Sequence, residues 1–251
     1  MSDNTESEHD IPKIVIMQNG SYHVFGDVPL VHKTQIVSEN GEPLTWQKDN
    51  VFEVKKNEGQ AFYGLCRCGH SKNKPFCDGT HRQIGFDGTE TADTNKTEFR
   101  SMKFPRGTRI TVRKDSTLCM DSGFCGLRDA GMSQLVNATE DTKIRSLVMA
   151  MVERCPSGAL TYRIEQSGPN IEPDLPVQIA TTTEITSAGP IDGPLWVTGN
   201  IPIERADGKP FETRNRVTLC NCGHSAQKPL CDGTHRGIEE EALRRKKSQG
   251  H

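Results

Sequence analysis

Apolar residues that recur among polar ones predict β-strands at several places in the chain. The first strand begins at residues 13–17, and two further strands, residues 61–65 and 216–219, each lead directly into a cysteine. Residues 40–43 (Asn-Gly-Glu-Pro) and 207–210 (Asp-Gly-Lys-Pro) are turn formers, and they predict a hairpin ahead of each of those two strands. The same order of turn, strand and cysteine therefore occurs twice.

This repeated order belongs to an internal duplication. Residues 20–30 align without gaps on residues 193–203, and they share two glycines, a valine and a proline in step. The segment between that proline and the next cysteine is longer in the first copy, which has an extra excursion through residues 51–58. We therefore expect two copies of one β-rich unit, at residues 13–87 and 177–240.

A unit with a different pattern is expected between the copies, at residues 98–168. Residues 108–113 alternate like a strand, and apolar residues then recur at helical spacing up to Cys155. That helix face consists of Ile144, Leu147, Val148, Met151 and Val152. Pro156 ends the helix, and residues 159–164 predict a returning strand. The unit should be a separate small α+β lobe in which one helix packs on a sheet.

Polar segments without periodicity flank these units. Residues 87–98 predict a linker, and the proline-containing residues 168–176 predict another. Residues 1–12 predict a disordered lead, and residues 241–251 predict a basic tail exposed to solvent.

Composition and charge exclude some classes of partner. The 251 residues include 31 Lys and Arg against 33 Asp and Glu, so there is no broad basic surface and we expect no nucleic-acid partner. The longest aliphatic run, residues 147–152, is far shorter than a membrane span, and the acidic start lacks the build of a signal peptide. We expect a cytoplasmic protein that does not enter membranes, in which the nine cysteines stay reduced and serve as ligands.

Six of the cysteines belong to a sixteen-residue motif that occurs once in each copy, at residues 66–81 and 220–235. Both motifs place three cysteines and one histidine at identical spacing, and a Cys-x-Cys pair is too tight for a disulfide between its own members. These residue types therefore predict a metal site. The candidate ligands are Cys66, Cys68, Cys77 and His81 in the first motif and Cys220, Cys222, Cys231 and His235 in the second.

Both motifs resemble that of the CDGSH (NEET) iron-sulfur family. They match its pattern, Cys-x-Cys-x2-Ser/Thr-x3-Pro-x-Cys-Asp-Gly-Ser/Ala/Thr-His, at every fixed position, with Thr80 and Thr234 where the family name has serine. The resemblance implies that each set of three cysteines and one histidine holds a [2Fe-2S] cluster. It also implies that motif-bearing units pair in one β-rich assembly, which here would be an intrachain pseudo-dimer within a monomer.

The three remaining cysteines, Cys119, Cys125 and Cys155, resemble the ligands of divergent single-cluster ferredoxins. Laid on a bacterial ferredoxin run, Cys119 and Cys125 take the first and third places and Cys155, followed by Pro156, supplies the later Cys-Pro ligand. Ser122 falls where the second cysteine would be. The resemblance implies a [3Fe-4S] cluster, or a [4Fe-4S] cluster whose last iron takes Ser122, Asp121, water or an outside ligand. Three buried structural cysteines are the alternative.

Zinc is the main alternative at the two sixteen-residue motifs, because three cysteines and a histidine also suit tetrahedral zinc. The ligand spacing favours iron and sulfide, since a Cys-x-Cys pair can bind one iron while the later cysteine and histidine bind a second. Asp78 and Asp232 are predicted to cap short helices that begin at the ligand histidines. A neutral imidazole should raise the reduction potential and, because it can be protonated, should loosen the cluster in acid.

The sequence therefore predicts an α+β iron-sulfur protein in which a ferredoxin-like lobe is inserted between two paired CDGSH repeats. The function we expect is single-electron transfer to or from an unidentified redox partner. One alternative is a cluster carrier, which would deliver its cluster to an apo-acceptor, or a redox and pH sensor. Another is a structural zinc module. No nucleophile with a base, phosphate loop or substrate motif is recognisable, so we expect no enzymatic activity.

Overall fold

The predicted strand segments of the two repeats form two mixed sheets, and the middle unit forms a third. The computed structural model describes residues 11–56, 59–164 and 167–249. The strands are β1 (Lys13–Ile16), β2 (Tyr22–Phe25), β3 (Leu30–Val37), β4 (Pro43–Val51), β5 (Phe62–Leu65), β6 (Met102–Lys103), β7 (Thr111–Lys114), β8 (Leu160–Arg163), β9 (Gln178–Thr186), β10 (Gly189–Thr198), β11 (Ile203–Glu204) and β12 (Arg216–Leu219). The helices are α1 (Thr80–Gln83), α2 (Thr97–Arg100), α3 (Met132–Asn137), α4 (Thr142–Arg154) and α5 (Thr234–Gln249), with a 3-10 helix at Ser116–Leu118.

Equivalent strands of the two repeats pair in the same way. Among the described residues, one sheet has the order β11-β1-β2-β5 and another has the order β12-β10-β9-β3-β4. In the first sheet Tyr22 lies opposite Leu65, and in the second Leu195 lies opposite Leu219. Tyr22 and Leu195 are aligned residues of the duplication, and each facing leucine directly precedes the first cysteine of its motif. The two strand pairs are therefore equivalent.

Each repeat also gives one strand to the sheet of the other. Strand β3 of the first repeat pairs parallel with β9, where Leu30 lies opposite Ile179. Strand β11 of the second repeat pairs parallel with β1, where Ile203 lies opposite Ile14. Leu30 and Ile203 are aligned residues of the duplication, so the exchange is reciprocal and relates the repeats by a pseudo-two-fold axis. This confirms the predicted intrachain pairing of the repeats.

The second repeat is enlarged at the hairpin between β9 and β10. Strand β9 has nine residues and β10 has ten, whereas the equivalent β1 and β2 have four each. Helix α5, with 16 residues, packs beside β10, and Lys247 Nζ donates a hydrogen bond of 2.6 Å to the Ala188 carbonyl at the hairpin turn. Helix α1, its counterpart in the first repeat, has four residues.

The middle unit contains the sheet β6-β7-β8 and helices α3 and α4. Helix α4 begins at an N-cap, Asp141, whose carboxylate accepts hydrogen bonds from the Lys143 and Ile144 amides. It buries Val148, Met151 and Val152, three residues of the predicted apolar face. These side chains belong to one buried cluster that also includes the strands of both repeats, so the inserted unit is packed against them.

Several segments differ from the expectations. The turn at residues 40–43 joins the paired strands β3 and β4, but the turn at 207–210 follows β11, which pairs with β1, so no hairpin forms there. Residues 241–249 continue helix α5 and are not a separate tail. The segment at 87–96 is irregular but packed, because the Thr91 and Ala92 amides donate to the Lys228 carbonyl. Most of the predicted lead, residues 1–10, lies outside the described residues.

The described helices include none that is both long enough and apolar enough to cross a membrane.

Candidate metal centres

The first motif folds back on the strand that precedes it. Strand β5 ends at Leu65, and the loop then returns beside it, with the Cys66 amide donating to the Pro75 carbonyl at 2.8 Å and the Cys77 amide to Gly64 at 2.9 Å. The second motif repeats both bonds, from Cys220 to Pro229 at 2.8 Å and from Cys231 to Thr218 at 3.0 Å. The backbone therefore brings the third cysteine of each motif next to the first.

The serine and aspartate of each motif hold this loop in shape. Ser71 donates to the Phe76 carbonyl at 2.6 Å, and Asp78 accepts from the Lys72 amide at 2.8 Å and the Thr80 amide at 3.0 Å. The second motif makes the same contacts through Ser225 and Asp232. The Lys72 amide, and then Thr80, lower the pKa of Asp78 to about 2.

Asp78 is not the N-cap residue that the sequence predicted. The N-cap position of α1 is Gly79, one residue later, and the helix begins at Thr80, directly before the ligand histidine. Gly79 has a φ of 85° and no side chain, so Asp78 reaches over it to accept from the Thr80 amide. The aspartate thus joins the loop to the helix without occupying the cap position.

In each motif the four predicted ligands form two close pairs. The sulfurs of Cys66 and Cys68 lie 3.9 Å apart, and those of Cys220 and Cys222 lie 3.7 Å apart. The third cysteine faces the histidine in both motifs, with 3.4 Å from Cys77 Sγ to His81 Nδ1 and from Cys231 Sγ to His235 Nδ1. Sulfurs that share one tetrahedral metal at about 2.3 Å lie roughly 3.8 Å apart. Each pair therefore has the spacing of two ligands on one metal.

This pairing fits a cluster with two irons. One pair would hold one iron and the other pair the second, as the spacing of the motif predicted. In the part of the chain that the structure describes, no three such side chains are grouped to hold one metal ion. Each motif therefore supplies four donors, three thiols and one imidazole, arranged as two pairs that could each bind one iron.

The surroundings of the thiols differ from site to site. Burial raises the pKa of the Cys231 thiol well above its usual range, and burial is also the largest cause of the raised pKa of Cys68. The Cys222 thiol and backbone amides lower the pKa of Cys220, which favours its thiolate. A bound cluster requires all of these thiols as thiolates, so its positive irons would offset the effect of burial.

The two motifs touch each other at the pseudo-two-fold axis. Cys68 and Cys222 form an antiparallel backbone bridge, which places the second cysteine of each site at the contact. The adjacent glycines allow this approach, because a Cβ on Gly69 would lie 2.4 Å from the Cys222 carbonyl oxygen and one on Gly223 would lie 2.6 Å from that of Cys68. The first and second sites are therefore neighbours through their ligand backbones.

The ligand histidines lie in different environments. His81 is partly exposed and lines an open cavity of about 500 Å³ together with Met17, Ser21, His23 and Phe86. His235 is 2% exposed, and its Nε2 lies 2.9 Å from Oε1 of Glu184, which is itself fully buried. His70 and His224, which the spacing excluded as ligands, are exposed.

The three remaining cysteines all lie in the middle unit. Cys119 follows the 3-10 helix, Cys155 caps the end of α4, and Cys125 lies in the loop between them. Burial raises the pKa of the Cys125 thiol, and the neighbouring thiols of Cys119 and Cys155 raise it further. Ser157 Oγ lies 3.6 Å from Cys155 Sγ. The Cys155 sulfur therefore has a hydroxyl beside it, while Asp121 is exposed and Ser122 is buried.

The first repeat covers the loop that carries Cys119 and Cys125. Gln35 of β3 donates to the Ser122 carbonyl at 3.0 Å, and the ring of Trp46 on β4 lies 5.6 Å from that of Phe124. The second repeat touches the same loop, since a Cβ on Gly233 would lie 3.0 Å from the Met120 carbonyl oxygen. Gly233 lies between Cys231 and His235, and Met120 follows Cys119. The second and third sites are therefore also neighbours.

Sequence reasoning missed two polar residues at these sites, Glu184 and Ser157. Glu184 lies in a threonine-rich strand with no motif, and only the unmatched length before residue 193 in the second repeat indicated extra structure there. Ser157 follows the Cys-Pro pair, so its position beside Cys155 could have been anticipated.

Comparisons with known protein families agree with the predicted resemblances. Residues 19–82 and 192–236 match a family described as iron-binding zinc finger CDGSH type. Residues 106–165, between them, match a family described as divergent 4Fe-4S mono-cluster. The three matched regions contain all eleven predicted ligands. A search of curated proteins found no match.

Proposed function

Because the chain is an iron-sulfur protein with two CDGSH-type regions around a divergent 4Fe-4S mono-cluster domain, we propose that it transfers single electrons. In this proposal each CDGSH-type region holds a [2Fe-2S] cluster, through Cys66, Cys68, Cys77 and His81 in the first and Cys220, Cys222, Cys231 and His235 in the second. Cys119, Cys125 and Cys155 hold a [4Fe-4S] or a [3Fe-4S] cluster, and Ser157 joins Ser122 among the candidates for a further ligand.

The order in which the three sites touch one another is the observation that supports this proposal. The third site touches the second through Met120 and Gly233, and the second touches the first through the backbones of Cys222 and Cys68. The sites therefore form a series in which the second is in the middle. A series of adjacent one-electron sites supports electron transfer along the chain, whereas independent storage sites would not need to touch.

The residues of the chain prepare each site for a cluster, which when bound would accept and release one electron. Buried thiols exclude water from the second site, and the Cys222 thiol and backbone amides already favour the thiolate of Cys220. A single imidazole per site in place of a thiolate lowers the negative charge, so the potential should lie between all-cysteine and Rieske-type clusters. Tyr22 stabilises the motif contact by donating to the Cys220 carbonyl at 2.7 Å.

The chain acts as a monomer whose two repeats already supply the pair of CDGSH-type units. Its partner is a redox protein, and its role is electron transport without enzymatic turnover of its own. Its location is the cytoplasm, where its thiols stay reduced.

Anaerobic purification of the full chain tests the proposal. Iron and acid-labile sulfide analysis, with absorption and paramagnetic-resonance spectra, should reveal two [2Fe-2S] clusters and one larger cluster per chain. Rapid mixing with a one-electron reductant should then reduce all three clusters, and reoxidation should leave them bound. A folded protein that contains zinc without sulfide would overturn the proposal.

Transfer of a cluster to an acceptor protein is the second candidate function. The partial exposure of His81 favours it, because an exposed imidazole ligand can be reached by solvent and by an acceptor. Incubation of the loaded protein with an apo-ferredoxin distinguishes the candidates. Transfer of iron and sulfide to the acceptor supports a carrier, whereas electron exchange with both proteins retaining their clusters supports the relay.

A further inference from the structure

In the part of the chain that the structure describes, the buried contact between Glu184 and His235 has no counterpart at the first site. Glu184 is fully buried on β9, where it faces Ile191 of β10, in the part of the hairpin that β1 and β2 lack. Its Oε1 lies 2.9 Å from His235 Nε2, and its Oε2 accepts from Arg236. Among the described residues, the only hydrogen-bond partner found for the His81 ring is Cys77, which faces Nδ1.

The geometry around Glu184 leaves its side chain little freedom. A Cβ on Gly193 would lie 3.0 Å from Glu184 Oε1 and 2.4 Å from Thr182 Oγ1, so only a glycine at this position leaves room for the carboxylate. Arg236 compensates the buried charge from the helix that also carries His235. Three elements, β9, β10 and α5, therefore hold one carboxylate oxygen against the imidazole.

This contact decides which nitrogen of His235 can bind a metal. A carboxylate only accepts hydrogen bonds, so Nε2 must carry the hydrogen and Nδ1, 3.4 Å from Cys231 Sγ, keeps its lone pair toward the site. The same hydrogen bond fixes the orientation of the ring. His81 lacks this constraint and is reached from the cavity beside it.

We propose that Glu184 is a positioning residue that makes the second site retain its cluster, while the first site, which has no equivalent among the described residues, is the one that releases its cluster. This inference rests on the proposed [2Fe-2S] clusters. It divides the two identical ligand sets into a retaining site in the middle of the series and a releasing site at its end.

Release of iron from the loaded, full-length protein tests the proposal. With excess ethylenediaminetetraacetate at one fixed neutral pH, the [2Fe-2S] absorption of the wild type should decay in two phases of similar amplitude. His81→Cys should slow the fast phase only, which assigns that phase to the first site. Glu184→Gln removes the charge and leaves one acceptor oxygen for two donors, His235 and Arg236, so it should accelerate the slow phase by about tenfold or more and leave the fast phase unchanged.

The reduction potential separates positioning from a structural role. The carboxylate increases electron density on the imidazole, so Glu184→Gln should raise the potential of the second cluster and leave that of the first unchanged. Asp192→Asn is the matched control, because this exposed carboxylate lies on the same hairpin and, among the residues that the structure describes, forms an ion pair only with exposed Lys74. It should alter neither the two phases nor the two potentials.

Three results would overturn the proposal. They are a single decay phase in the wild type, a slow phase that Glu184→Gln leaves unchanged, and equal effects of Glu184→Gln and Asp192→Asn. The first of these needs no variant, so it holds even where Glu184→Gln fails to fold. Absence of [2Fe-2S] absorption from the wild type would instead contradict the proposed function, which keeps the two failures distinguishable.

Discussion

The two CDGSH-type regions share a ligand set and a strand arrangement, yet they differ in what covers the ligand histidine. In the second region a long hairpin and helix α5 enclose His235, whereas in the first region a four-residue helix leaves His81 partly exposed. The sixteen-residue motifs themselves hardly differ. A duplicated motif can therefore differ in its surroundings through residues outside it, here through the elements that pack on the ligand histidine.

Removal of one ligand should have the largest effect and should break the equivalence of the two regions. Cys77→Ala and Cys231→Ala should each lose one [2Fe-2S] cluster, measured by iron and sulfide analysis. Cys231→Ala should also slow electron exchange between the first and third clusters relative to the wild type, because the second site lies between them, whereas Cys77→Ala should leave exchange between the second and third clusters unchanged. Rapid-mixing absorption follows that exchange. A wild-type rate of exchange between the first and third clusters in Cys231→Ala would contradict the series.

Loss of a buried arginine should have the next largest effect. Arg216 is 1% exposed, donates to the Val152 and Glu153 carbonyls at the end of α4 and pairs with Glu172. Arg216→Met should lower the free energy of unfolding by about 3 kcal/mol, since removal of one partner leaves buried groups unpaired. Urea unfolding of the loaded protein measures this loss.

Two further substitutions calibrate the arginine result. Arg67, also 1% exposed, donates to the Met17 and Gly88 carbonyls in the first region, so Arg67→Met should be comparably destabilising. Arg109 forms an exposed pair with Glu140, and Arg109→Met should cost less than about 1 kcal/mol. A similar loss in all three variants would show that burial is not the cause.

Substitution of each glycine at the motif contact should show whether the two regions contribute equally to that contact. Gly69→Ala and Gly223→Ala should each destabilise by at least about 2 kcal/mol, because a Cβ would meet a carbonyl oxygen and φ is positive. Gly41→Ala has a similar φ but open space, so its loss should be nearer about 1 kcal/mol. Thermal unfolding compares the three, and the symmetric contact is refuted if Gly41→Ala is the most harmful.

Tyr22 should give a smaller effect than the two glycines at the motif contact, and it distinguishes the regions by one hydroxyl. It donates to the Cys220 carbonyl at 2.7 Å, whereas its aligned residue in the second repeat is Leu195, which has no hydrogen-bonding group. Tyr22→Phe should destabilise by about 1–2 kcal/mol, because a buried carbonyl loses its best donor. Denaturant unfolding measures the change, and an unaltered midpoint would mean that the carbonyl finds another donor.

The sequence was most informative where residue type and spacing are tied to chemistry. The ligand pairs, the strands before each first cysteine and helix α4 follow from motif spacing and periodicity, and the structure has all of them. The pairing of the repeats followed from the family resemblance, because an internal alignment alone does not state which strands meet.

Contacts between segments distant in sequence could not be predicted. Gln35 and Ser122 are in contact although they lie 87 positions apart in the sequence, and Glu184 and His235 lie 51 positions apart. No local sequence pattern marks Gln35 or Glu184 as a contact residue. The turn at residues 207–210 shows the opposite error. Its Asp-Gly sequence is typical of a hairpin, but β11 pairs with β1 of the other repeat, and this tertiary pairing overrides the local sequence preference.

The reciprocal strand exchange has a consequence for how the protein is made. Strand β1 leaves the ribosome early but pairs with β11, and β3 pairs with β9, so neither sheet of the repeats can be completed until the carboxy-terminal region has been synthesised. The amino-terminal cysteines therefore lack their final surroundings while the inserted domain is being synthesised. A metal centre at the first site would then be completed only after both halves have been translated.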